Sequence, residues 1–294
     1  MRKFLQRLIQ PDVPSSPSGY PFAPISKDSI SIHQIYYSEQ TAKNLDPGFI
    51  PMDNTINPRP DWREYFPIRN FLLSKPLEEN SHYGFFSHKF NRKTGLDAKR
   101  VFSFIEENTA PDVIFFSPFC DMQSLFLNPF LQGDFLHPGF LECTKKFFDE
   151  IGITVDLHQL VMDSSNTIFC NYFVARPKFW RAWLNVNEKL YALAENGGRL
   201  HEELNIKTTH EKAPIKVFIM ERTASLLLAT DENWTARSYN PFNISISQVA
   251  PFCDHLQTAI MCDALKFAYR HHPYAAYLKR FKSLIAEHSI PQSR

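Results

Sequence analysis

The chain has 294 residues, of which 14% are aromatic, with 27 Phe, and its charges nearly cancel to a formal net of +1. That balance offers no electrostatic basis for a nucleic-acid partner, and the aromatic content excludes a disordered chain. The length suits one large α/β domain or two small ones with ample core. Five cysteines, at 120, 143, 170, 253 and 262, are scattered without metal-ligand spacing and read as reduced thiols of a cytosolic protein. No apolar run approaches the roughly 20 residues that span a bilayer.

In chain order, residues 1–10 are a basic, apolar stretch too short and polar for a secretion signal. They read either as an amphipathic helix on an anionic membrane surface or as an end docked on the domain. Pro11 to Pro24 is a Pro/Ser-rich lead-in, so residues 1–24 stand apart from an α/β domain at 25–235 and a helical extension at 236–294. Ile30 to Tyr37 predicts a strand, residues 46–61 a long Pro-rich loop, and Pro67 to Leu73 a helix. Tyr83 to Phe86 predicts an aromatic strand, Asp97 a helix cap, and Val113 to Ser117 a buried strand. Apolar spacing from Phe140 to Ile151 predicts a helix stopped at Gly152, and a shorter helix follows over Asp156 to Met162. Ile168 to Val174 predicts a strand broken by one amide, Asn171. Pro177 then opens a helix that runs to Asn196-Gly197-Gly198. Lys216 to Met220 reads as a strand and Glu221 to Ala229 as a helix. Two last helices cover 251–270 and 273–286. Alternating strands and helices predict an α/β fold with a mostly parallel sheet.

No G-x-G-x-x-G, P-loop, G-x-S-x-G or H-E-x-x-H is present, and only nine Gly occur in the chain. An anionic ligand would therefore meet side-chain cations or helix N-termini rather than a glycine cradle. Three segments put polar groups at expected strand ends, where ligands bind in open α/β sheets. They are Ser87-His88-Lys89, Asn171 with Arg176, and Glu221-Arg222. Each also has a plain structural reading: solvated turn residues, an amide satisfying nearby backbone, and a helix-opening carboxylate beside a surface arginine.

These segments also carry a resemblance. Gly84-Phe85-Phe86-Ser87-His88-Lys89-Phe90, then Asn171-Tyr172-Phe173 with Trp180 and Trp183, then Glu221-Arg222, resemble bacterial capsular and lipopolysaccharide glycosyltransferases with the nucleotide-diphospho-sugar transferase (GT-A) fold. Order and rough spacing agree over about residues 30–230. The His-Tyr-Arg-Arg-Tyr run of that group is reduced here to Ser-His-Lys-Phe, and no Asp-x-Asp follows a central strand. The resemblance implies a cytoplasmic enzyme, free or at the inner membrane face, taking a nucleotide-sugar donor and a glycan or lipid-linked glycan acceptor. It implies donor-diphosphate contacts from Tyr37, Arg63, Arg69, His88, Lys89 and Arg222. Glu221, Asp163 or Asp121 would be the catalytic base, and Asn171 and Trp180 the substrate contacts, although a tryptophan at helical spacing is more often core. No metal ligand is assigned; Mn or Mg would enter only if a carboxylate pair assembles in the fold.

Overall fold

Continuous apolar runs bury both faces of the central strands, as at residues 82–87, 113–115 and 173–175, which requires helices on both sides of the sheet. A computed structural model describes residues 29–208, 212–250 and 252–292. The segment at 1–24, with its expected membrane contact at residues 1–10, lies outside the described residues. The strands are β1 (Ile30–Tyr36), β2 (Ile50–Asp53), β3 (His82–Ser87), β4 (Val113–Phe115), β5 (Phe173–Ala175) and β6 (Ala236–Ser238). They form one mixed sheet in the order β2-β1-β3-β5-β4-β6. β5 is antiparallel to both its neighbours, and the other five strands run one way.

On one face Ile35, Phe85, Phe115 and Phe173 join the large core built with the helices Tyr65–Ser74, Phe140–Glu150, Pro177–Glu195 and Ile215–Thr230. On the other face Ile32, Phe86, Ile114 and Val174 pack with Val101 and Ile105 of the helix Ala98–Glu107. A third cluster joins Phe126 and Phe135 to the C-terminal hairpin of helices Leu256–His271 and Ala275–Glu287. Gly84 is demanded by close approach: a Cβ there would meet Val174 Cγ2 at 2.8 Å. No helix among the described residues is long and apolar enough to cross a membrane.

The structure corrects several expected elements. The long loop at 46–61 contains the edge strand β2, paired in parallel with β1 from His33↔Ile50 to Tyr36↔Asp53. Residues 156–162 form turns rather than a helix; the Asp156 carboxylate accepts from the His158 N–H at 2.9 Å and holds the chain in a local loop. The strand expected at 168–174 shrinks to Phe173–Ala175, because Cys170 and Asn171 take left-handed backbone (φ 61° and 54°). The strand expected at 216–220 is the first part of one helix, Ile215–Thr230. Nearly every side chain of that helix is buried, so its apolar run shows no helical period and mimics a buried strand. β6 pairs with β4, so the sheet continues past residue 235 into the segment expected to be only helical.

Trp180 illustrates how completely the core is filled. It has no exposed surface, stacks on Phe173 at 4.4 Å, and donates its indole N–H to the Tyr83 carbonyl at 2.8 Å. Its place is therefore in the core, and it presents no surface to a sugar. Trp180→Ala is expected to cost about 3–5 kcal/mol in urea unfolding; a loss below about 1 kcal/mol would contradict this packing.

Candidate functional site

Parallel strands deliver their C-terminal ends to one edge of a sheet, and ligands bind there in open α/β folds. The ends of β1, β2 and β3 open here into a cavity of about 610 Å³. Tyr37 enters it directly after β1, Asn54 and Thr55 after β2, and His88 and Lys89 after β3. Asp61, Arg63 and Glu64 close one wall, and Lys207 and Lys212 stand on a further loop.

That wall is held by ion pairs. Lys216, with no exposed side-chain surface, donates to Asp61 Oδ2 at 2.6 Å and to Asn205 Oδ1 at 2.7 Å. Arg59 bridges Asp61 at 2.8 Å and Glu195 at 2.5 Å, and Trp62 Nε1 donates to Glu195 at 2.8 Å. Burial alone would raise the Asp61 carboxyl, but hydrogen bonds from Arg59 and Lys216 prevail and hold it at about 2. Asp61 is thus neutralised by its own cations. The other lining carboxylate, Glu64, opens the helix Tyr65–Ser74 without capping it, and among the described residues its carboxylate enters no ion pair or hydrogen bond. Arg63, Lys89, Lys207 and Lys212 therefore give the cavity a positive field.

Burial lowers the His88 pKa below its ordinary value, and Lys89 adds to this against the opposing charge of Glu64. Its Nδ1 is buried with no partner among the described residues, and its ring meets Tyr37 edge-on at 5.0 Å. Beside the cavity, Ser87 Oγ and Tyr172 Oη share a hydrogen bond of 2.7 Å, and Lys93 Nζ donates to Cys170 Sγ at 3.1 Å. Burial pushes the Cys170 thiol up to about 11 against the opposing pull of Lys93. Glu221 acts electrostatically on Lys93 and Cys170, and Glu64 on Cys170 and Tyr172. Of the non-glycine residues with positive φ, Arg63 (47°) and Lys212 (53°) line the cavity.

Of the residues expected from sequence, Tyr37, Arg63, His88 and Lys89 line the cavity together. Glu221 and Asn171 do not line it: Glu221 acts electrostatically on Lys93, and Asn171 is buried, donating to Met220 Sδ at 3.1 Å while its Oδ1 lacks a partner among the described residues. The other candidates are committed elsewhere. Arg69 pairs with Glu188 at 2.5 Å and lies over Tyr191. Arg222 is buried, donating to Pro129 O at 2.7 Å, Phe218 O at 2.9 Å and Gln132 Oε1 at 2.8 Å. Asp163 is fully buried against Arg270 at 2.7 Å, and Asp121 is buried against the Ser247 amide and hydroxyl. Sequence reasoning missed Asn54, Glu64, Lys207 and Lys212 as cavity residues. The Glu64 signal was its place just before the helix Tyr65–Ser74.

Among the described residues no group of three or more His, Cys, Asp or Glu is arranged to hold a metal ion. Searches against family models, curated proteins and solved structures each found no match.

Burial lowers His33 and His82 as well as His88. With folded-state values below the ordinary one, the unfolded chain takes up protons first as pH falls. Stability is therefore expected to be complete above about pH 6.5 and to decline below it. Thermal unfolding from about pH 8 to 5 checks this, and His82→Gln should flatten the decline; a midpoint that rises on acidification contradicts it.

Proposed function

We propose that this chain transfers a sugar from a nucleoside-diphosphate donor to an acceptor hydroxyl, with the donor pyrophosphate in the cavity at the ends of β1, β2 and β3. The observation that carries the reading is the group of cations on that opening, Arg63, Lys89, Lys207 and Lys212, with Glu64 beside them, a carboxylate in no ion pair among the described residues. A sheet of five like-directed strands with helices on both faces, and the order of segments that resembles bacterial surface-glycan transferases of the GT-A fold, support it. On this reading the acceptor is a growing bacterial surface glycan, free or lipid-linked, and the enzyme works on the cytoplasmic side.

A departing nucleoside diphosphate gains negative charge as the glycosidic bond breaks. Lysine and arginine side chains already aimed at that volume stabilise the charge without reorganising. Glu64 is the base: it removes the acceptor proton as the new bond forms. Asp121 and Asp163, buried in other pairs, take no part. Their burial also favours a second reading, a nucleotide- or glycan-binding module without transfer activity.

A thermal-shift screen of nucleotide sugars, with manganese or with EDTA, separates these readings. A complete nucleotide donor at about 100 times its Kd should raise the melting temperature by roughly 5 °C, and the Arg63→Ala/Lys89→Ala variant should lose that shift. Glu64→Gln should keep the shift while transfer falls by about 10²-fold or more, and Glu221→Gln should retain more activity than Glu64→Gln. A shift with free glycan alone selects the binding module. Loss of transfer in EDTA with rescue by manganese would overturn the lysine–arginine grip.

A further inference from the structure

The cations of the cavity come from two parts of its wall. Arg63 follows the turn at 60–62 and Lys89 follows β3, whereas Lys207 and Lys212 stand on the loop between the helices His201–Asn205 and Ile215–Thr230. The feet of that loop are tied together. Thr208 N donates to the Ala213 carbonyl at 2.9 Å, Lys212 N to the Thr208 carbonyl at 3.0 Å, and Ile215 N to the Ile206 carbonyl at 3.0 Å. The buried Lys216 ammonium joins Asn205 to Asp61, so the lysine loop and the segment leading to Arg63 are fixed to one another. Lys207 and Lys212 are exposed, and among the described residues neither enters an ion pair. Of the lining carboxylates among the described residues, Asp61 is already matched by Arg59 and Lys216, which leaves Glu64 against four cations. The pyrophosphate of a donor with a neutral sugar carries one negative charge on each phosphoryl group, and Arg63 and Lys89 match it. Two lysines remain in the same cavity of about 610 Å³, on a segment of their own. Ammonium groups placed so bind a second anion, such as a carboxylate, through charge-assisted hydrogen bonds.

We infer that Lys207 and Lys212 form a second anion subsite of this cavity and that the transferred sugar carries a carboxylate, as a hexuronic acid does. The inference rests on the proposed transferase reading and narrows its donor to a nucleoside diphosphate linked to an acidic sugar. The pyrophosphate lies on Arg63 and Lys89, and the sugar carboxylate on the lysine loop. In the transfer the acceptor oxygen bonds to the anomeric carbon, whose bond to the diphosphate breaks. The electron pair of that bond leaves with the diphosphate, the acceptor proton goes to Glu64, and the carboxylate is unchanged throughout.

The test is titration calorimetry of the full chain with two matched pairs of donors, UDP-glucose against UDP-glucuronic acid and GDP-mannose against GDP-mannuronic acid. In one pair the acidic donor should bind about tenfold or more tightly than the neutral one, the effect of one charge-assisted contact. Lys207→Gln/Lys212→Gln changes exposed positions and should keep the melting temperature of the wild type. It should hold the affinity for the neutral donor within about threefold and erase the preference for the acidic one. Arg63→Ala/Lys89→Ala should weaken both members of the pair. Equal binding of neutral and acidic donors, or a preference that survives Lys207→Gln/Lys212→Gln, overturns the inference and leaves the transferase reading in place. A lysine-dependent gain seen with a glucuronic-acid oligosaccharide and with neither acidic donor also overturns it, by moving the acid to the acceptor. Tight binding of an acidic donor without transfer keeps the subsite and removes the transferase reading. No response to any of these donors removes both.

Discussion

The buried ammonium of Lys216 is the constraint on which the opening of the sheet depends. It lies within the helix Ile215–Thr230 with no exposed side-chain surface, and a charge in that position must find partners. Its partners come from three segments: Asp61 from the loop after β2, Asn205 from the helix His201–Asn205, and Glu195, at 3.5 Å, from the end of Pro177–Glu195. The Trp62 ring lies 4.4 Å beneath the ammonium and adds a cation–π contact. Removing one partner from such a set leaves an uncompensated buried charge, at a cost of about 3–5 kcal/mol. Its chief effect is positional. The loop that carries Asp61 must come down onto the helices, and Arg63 and Glu64, the next residues but one and two, are thereby held at the cavity wall.

This arrangement divides the charges of the wall into two groups. Asp61, Arg59, Glu195 and Lys216 satisfy one another behind it. Glu64 and the cations Lys89, Lys207 and Lys212 face the opening without salt bridges among the described residues. A site lined this way attracts anions while retaining a carboxylate for proton transfer, the division of labour that the proposed sugar transfer needs. Arg63 and Lys212, both on this opening, hold positive φ, a conformation that non-glycine residues adopt at a cost and that recurs at functional sites.

Much of the scaffold was legible beforehand because its signals are local. Asp97 caps the helix Ala98–Glu107 by accepting from Arg100 N at 2.8 Å, and Pro177 opens the long helix to Glu195. The apolar strands at 30–36, 82–87 and 113–115 fall where their composition placed them. The reading failed where burial is uniform or where long-range pairing decides. In the helix Ile215–Thr230 apolar residues surround the axis, so a strand pattern and a helix pattern coincide. β2 is a short edge strand with mostly exposed side chains, and only its backbone pairing with β1 identifies it.

The sequence by itself determined the α/β class and most of the elements, because strands, caps and helix starts are written in local composition; it named Tyr37, Arg63, His88 and Lys89 only within a longer set of candidates, Tyr37 and Arg63 through the resemblance alone. Only the tertiary structure decided which polar residues remain available to a ligand. Arg69, Arg222, Asp121 and Asp163 look as suitable in sequence as Lys89 and Glu64 do. Folding gives each of the first four a partner, Glu188, the Pro129 carbonyl, Ser247 and Arg270 respectively. The physical reason is that a charge taken out of water must be compensated where it lies, and its neighbours there come from residues up to 126 positions away along the chain.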